Sequence, residues 1–209
     1  MNFSSNPAPK AAVRWPFAVL LVLAVGGLLV LFWRVKPVPK PVVLPEARRS
    51  ELSLREKRLY RAGEAQPFTG IMVEHYPGGA VQSRSVVSNG VLHGFSRGWY
   101  TNGQMQVEEI FLNGVSDGTR VKWHANGRKE SEASIAQGKL HGTFTRWHEN
   151  GTLAERIEMK NGQPDGESIA WYPSGFVKAR ARLEKGEVRE QKFWKDGEWR
   201  IPKSGPLPP

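Results

Sequence analysis

Cysteine is absent from this 209-residue chain, which excludes a disulfide framework and any thiolate metal site. That absence does not fix the compartment, because exported proteins without cysteine are common. Long apolar runs are scarce as well: residues 17–33 are the only stretch free of charge for the length of a bilayer span. No helix is predicted elsewhere. A mixture with 22 Gly, 8 Trp and negative mean hydropathy is not that of an ordinary globular core. Acidic residues are thin only near the N-terminus. Residues 1–62 carry 11 Lys/Arg against 3 Asp/Glu and residues 63–209 carry 19 against 17, so the net charge of +10 belongs mainly to the first third of the chain. A phosphate-binding surface needs its basic patch on the folded part, and near-neutrality there argues against nucleic acid as a partner.

The apolar run, FAVLLVLAVGGLLVLFW from Phe17 to Trp33, is bordered by Arg14 and Trp15 before it and by Arg34 and Lys36 after it. Its length and interfacial tryptophans predict one transmembrane helix over residues 15–34, following an N-terminal tail of residues 1–14. The only small-x-small candidate for cleavage, Ala24-Val25-Gly26, is followed by more apolar sequence, which favours an uncleaved signal anchor over a signal peptide. The flanking charges lean toward a cytoplasmic C-terminal domain, although short N-terminal tails go either way. Residues 35–56 read as a linker, with Pro37, Pro39, Pro41 and Pro45 favouring extended conformation, then a basic stretch.

From residue 63 onward the sequence repeats at an unbroken spacing of 24. Gly70, Gly94, Gly118, Gly142 and Gly166 form one column, and Gly79, Gly103, Gly127, Gly151 and Gly175 another. Gly90, Gly114, Gly138, Gly162 and Gly186 form a third. Trp99, Trp123, Trp147 and Trp171 fill a fourth, with His75 in the first unit, beside Tyr76, Tyr100, His124, His148 and Tyr172. Each unit contains two strand-like runs separated by turn residues, so the unit is a β-hairpin. The variants PGG at 77–79 and PSG at 173–175 place proline first and glycine third, which predicts a three-residue loop with glycine in the left-handed position.

An odd loop keeps odd-numbered residues on one face through both strands. That face is expected to carry Phe95, Trp99, Met105, Val107 and Phe111 in the second unit, and Val121, Trp123, Ala133 and Ile135 in the third. Trp147, Leu153, Ile157 and Met159 follow, then Ile169, Trp171, Val177, Ala179 and Leu183. The same register sets Lys122 against Glu130 and Arg120 against Glu132.

The recurring W-x-x-N-G followed by N-G-x-x-D/H-G resembles the MORN-type repeat, in particular the bacterial variant of YwqK-like proteins, which carry an antitoxin label. The likeness covers residues 57–199, about five units plus a degenerate cap, and leaves 200–209 as a flexible tail. His75 stands for Trp, Ser174 for Asn, and the sixth unit loses phase after Gly186. The resemblance implies an all-β, elongated, single-layer antiparallel sheet of tandem hairpins and a role in protein or membrane association. It implies no agreed chemistry.

The residues themselves argue in the same direction. Metal binding is disfavoured because His93, Asp117, His141 and Asp165 share a column, and successive units lie about 10 Å apart. No cofactor site is expected. A catalytic constellation needs a unique place, whereas every polar residue here has repeated equivalents, so the chain reads as a non-enzyme. The expected function is a membrane-tethered scaffold for protein association, with a protein of unknown identity or a second copy as partner. An antitoxin-like inhibitor and a glycan or lipid-headgroup binder stand as alternatives. Tyr100, His124, His148 and Tyr172 form the candidate contact stripe, and the tryptophan and glycine columns are assigned structural roles.

Overall fold

A computed structural model of the chain describes residues 43–201. The anchor assigned to 15–34 lies outside them, and no helix among the described residues is long and apolar enough to cross a membrane. Those residues are all-β apart from one 3-10 turn, Arg49–Glu51. Three short strands come first: β1 (Glu46–Arg48), β2 (Leu52–Arg55) and β3 (Arg58–Arg61). Five hairpins follow, β4 (Gly70–His75) with β5 (Val81–Ser88), β6 (Val91–Trp99) with β7 (Met105–Leu112), and β8 (Val115–Trp123) with β9 (Lys129–Ala136). Then come β10 (Lys139–Trp147) with β11 (Leu153–Lys160), β12 (Gln163–Trp171) with β13 (Val177–Glu184), and a last strand, β14 (Glu187–Phe193). The hairpin strands pair in chain order in one 12-stranded sheet, with β1 added in parallel at the β4 edge. Strands β2 and β3 form a separate ribbon.

The two kinds of turn explain the glycine columns. In the second unit Tyr100 N–H donates to Gln104 O at 2.8 Å and Gly103 N–H to Tyr100 O at 2.9 Å, which closes the expected three-residue loop. Gly103 has φ +81°, where a Cβ would be strained. Between units the connection is a two-residue turn, Asn113-Gly114, with φ of 51° and 84°, a type I′ geometry whose twist matches the strands it joins.

The expected face assignment holds for the first strand of each hairpin and fails for most of the second. Gly98 pairs with Val107 while Trp99 pairs with Met105, so Gln106 is an extra residue in a β-bulge. Glu130, Ala154 and Lys178 occupy the same place in the later units. One extra residue reverses the alternation. Val107, Phe111, Ala133, Ile135, Ile157, Met159, Ala179 and Leu183 therefore lie on the face opposite the tryptophans. Phe95, Met105, Val121, Leu153, Ile169 and Val177 remain on the tryptophan face. The expected charge pairs shift accordingly. Lys122 opposes Ser131, and Arg120 opposes Ala133 while its guanidinium binds Glu109 of the preceding unit.

Burial in this sheet comes largely from neighbours in register. Ala133, 4% exposed, lies between Arg120 and Phe144, and buried Ser131 lies between Lys122 and Arg146. Long side chains close over short ones, so a single layer shields part of its own surface. Each end has a further cluster. Leu52, Leu59 and Phe68 join Ala47 and Val87 at the start of the sheet, and Ile169, Trp171 and Val177 form a second cluster near its end. Residues 46–55, assigned above to the linker, thus include ordered strands. Their local sequence is too short and charged to signal one, and pairing with β4 supplies the partner. Ile201, assigned above to the tail, packs on the second cluster.

Candidate functional site

Because the loops keep one geometry, Trp99, Trp123, Trp147 and Trp171 stand in a row on one face, at the loop end of each hairpin. Their opposite residues are Met105, Lys129, Leu153 and Val177. Lys129 Nζ lies 5.3 Å from the Trp147 ring centroid, within cation–π range. Trp171 is 8% exposed, whereas Trp99, Trp123 and Trp147 are only half-buried. The difference arises at the C-terminal end. The segment after β14 turns at Gly197 and returns, so that Trp199 O accepts from Val177 N–H at 2.8 Å. Trp194 and Trp199 stack with centroids 4.7 Å apart and, with Ile201, pack on the Trp171 cluster.

The Tyr/His column has a defined internal task. Tyr100 Oη donates to Trp123 O at 2.8 Å, and Tyr172 Oη to Trp194 O at 3.1 Å. His124 and His148 place Nε2 at 3.0 Å from Trp147 O and Trp171 O. The four residues proposed as a contact stripe are half-buried, and their polar tips tie each unit to the next. Asn102, Asn126 and Asn150 do the same from the loop: each Nδ2 donates to a carbonyl one unit on, while each Oδ1 accepts a backbone N–H two residues ahead. On the other edge Gly114 N–H donates to Leu92 O at 2.7 Å, and Gly138, Gly162 and Gly186 repeat that bond. His93 Nδ1 and Asp117 Oδ2 accept from Asn113 and Gln137 N–H, which makes that column a turn cap.

Sequence reasoning missed the role of the asparagines, although the motif contains them. Their signal was the fixed offset of 24, which matches a side chain that must reach the equivalent loop of the next unit. Among the described residues no group of three His, Cys, Asp or Glu could hold a metal ion. An open cleft beside the C-terminal cluster is lined by Glu158, Glu167, Arg180, Arg182, Glu190, Lys192 and the Trp194–Trp199 pair. Glu167 is held there by Arg180 at 2.8 Å and Arg156 at 3.4 Å, and Glu158 accepts from Glu167 N–H at 3.1 Å.

Fold and site define a hairpin-repeat protein whose signature residues bind unit to unit. Residues 140–161, from β10 to the turn after β11, match the family described as a MORN repeat variant, and this supports a MORN-type repeat protein. No curated protein matches the chain.

Proposed function

We propose that the protein is a non-catalytic scaffold, tethered to a membrane through residues 15–34, that binds a protein partner along its repeat sheet. The observation that carries this reading is the division of labour within the repeat. The recurring polar columns are spent on bonds between units, while the half-buried rings of Trp99, Trp123 and Trp147 remain as an apolar row at the spacing of the repeat. A row of aromatic anchors on a stiff sheet suits recognition of an extended chain, since rigid rings lose little entropy on binding.

Capture of partners by the full-length chain from detergent-solubilised membranes tests this. A partner that is retained by the native chain and lost from Trp123→Ala with Trp147→Ala supports the scaffold, and equal retention by both removes it. Should that partner arrest growth when expressed alone, the antitoxin-like form of the reading applies.

A further inference from the structure

We propose that the open cleft over β11–β14 binds a carboxylated sugar ring, with Trp194 and Trp199 against the ring and Arg182 and Lys192 on its carboxylate. This site goes beyond the scaffold reading, which rests on Trp99, Trp123 and Trp147, and does not depend on it.

In this cleft the repeats stop being equivalent. Counting back from Arg182 in steps of 24 gives Glu158, Ser134 and Ile110, so the column passes from apolar to cationic along the sheet. Lys192 lies in the sixth unit, after the phase is lost. Neither residue belongs to the columns that bond unit to unit. The cleft measures about 930 Å³, within the range of roughly 300–1,000 Å³ in which small-molecule sites fall.

Charge in the cleft is incompletely matched. Glu167 is held by Arg180 at 2.8 Å and Arg156 at 3.4 Å, and Glu158 accepts from Glu167 N–H at 3.1 Å, so two cations balance two carboxylates. Among the described residues Arg182, Lys192 and Glu190 form no ion pair. They leave an excess of one positive charge, which a single carboxylate neutralises and a phosphate dianion overshoots. Arg180 opposes Ile169 of the tryptophan face, and Arg182, two residues on, shares that face. Lys192 opposes Arg180 and Glu190 opposes Arg182, which makes Arg182 and Lys192 diagonal neighbours. Diagonal positions are about 7–8 Å apart, a gap that two long side chains can close on one carboxylate.

The indoles complete the site. Lys192 Nζ lies 5.4 Å from the Trp194 ring centroid, so charge and aromatic surface adjoin. Trp194 and Trp199, stacked 4.7 Å apart and half-buried, both line the cleft. A sugar ring has an apolar C–H face that suits the indoles and hydroxyls that suit the Glu190 carboxylate. A peptide is the poorer occupant. The strands beneath the cleft pair with each other, so an extended chain lying over them finds no ladder to join, whereas ring hydroxyls need only side chains.

Fluorine NMR titration tests this on the full-length chain, labelled with fluorotryptophan, held in a detergent without a sugar headgroup and assigned by Trp→Phe variants. The probe is glucuronosyl-glucose, a disaccharide with one carboxylate. It is expected to move the Trp194 and Trp199 signals saturably and to leave Trp99 in place. Methyl esterification of the probe, or Arg182→Gln, is expected to weaken binding about tenfold or more. Arg97→Gln, a change to a paired cation nearer the other end of the sheet, is expected to leave binding unaltered. Absence of saturable shifts overturns the proposal, and so does an equal shift at Trp99. Equal affinity for the ester, or equal affinity in Arg182→Gln, also overturns it. Acetate or a capped acidic tripeptide binding as tightly as the disaccharide overturns the sugar assignment. Trp123 and Trp147 are intact in these binding comparisons, so failure here is distinct from failure of partner capture.

Discussion

The two ends of the sheet are closed in different ways. At the N-terminal end β1 pairs in parallel with β4, Pro45 O accepts from Ile71 N–H at 2.8 Å, and the β2–β3 ribbon contributes Leu52 and Leu59 to a cluster around Val87 on the face opposite the tryptophans. At the C-terminal end β14 is exposed throughout, and the segment after it folds back onto the tryptophan face at Trp171 and Val177. Between them the hairpins are nearly interchangeable. A repeat can rely on its neighbour for half of its contacts, but a terminal repeat cannot, and each terminus supplies a different non-repeating segment. The caps sit on opposite faces, and among the described residues only the C-terminal one touches the tryptophan row.

Substitutions at the two caps should break the sheet from different ends. Trp171→Ala is expected to cost about 3–5 kcal/mol by opening a cavity under Trp194 and Trp199. Hydrogen exchange should then rise in β12–β14 and stay unchanged in β4–β6; uniform acceleration would show that the sheet unfolds as one unit. Leu59→Ala should cost about 2–4 kcal/mol with the opposite pattern, the loss confined to β1–β5. Trp123→Ala, at the half-buried middle of the row, should cost less than Trp171→Ala, about 1–3 kcal/mol, by denaturant titration. Equal costs would mean that the C-terminal cap adds nothing to burial. Tyr100→Phe removes only the hydroxyl bond to Trp123 O and should cost about 0.5–1.5 kcal/mol. Arg97→Ala, which breaks the surface pair with Glu108, should cost no more than about 1 kcal/mol in urea.

Much of the body was legible in the residues. The 24-residue period, the loop with proline first and glycine third, and the common face of the four tryptophans all depend on local turn chemistry, and the structure shows each. The bulge at Gln106 was not legible. Gln106, Glu130, Ala154 and Lys178 share neither charge nor size, so no residue type marks the column, and the extra residue is accommodated only by the partner strand. The alignment of Tyr100, His124, His148 and Tyr172 in one column was legible from the 24-residue period, but their task was not. That Tyr100 and His124 turn their polar tips to a carbonyl one unit away depends on stacking of hairpins, which one unit does not contain.

By itself the sequence determined the period, the two turns of each unit and therefore the order of strands, because glycine and asparagine at positive φ act within a few residues. Tertiary structure decided which face the second strand of each hairpin presents and how the ends are sealed. Both are outcomes of pairing between separate strands, across the loop of each hairpin in the first case and between a terminal segment and the sheet in the second, where a single bulged residue reverses the faces and a few apolar side chains suffice to seal an end.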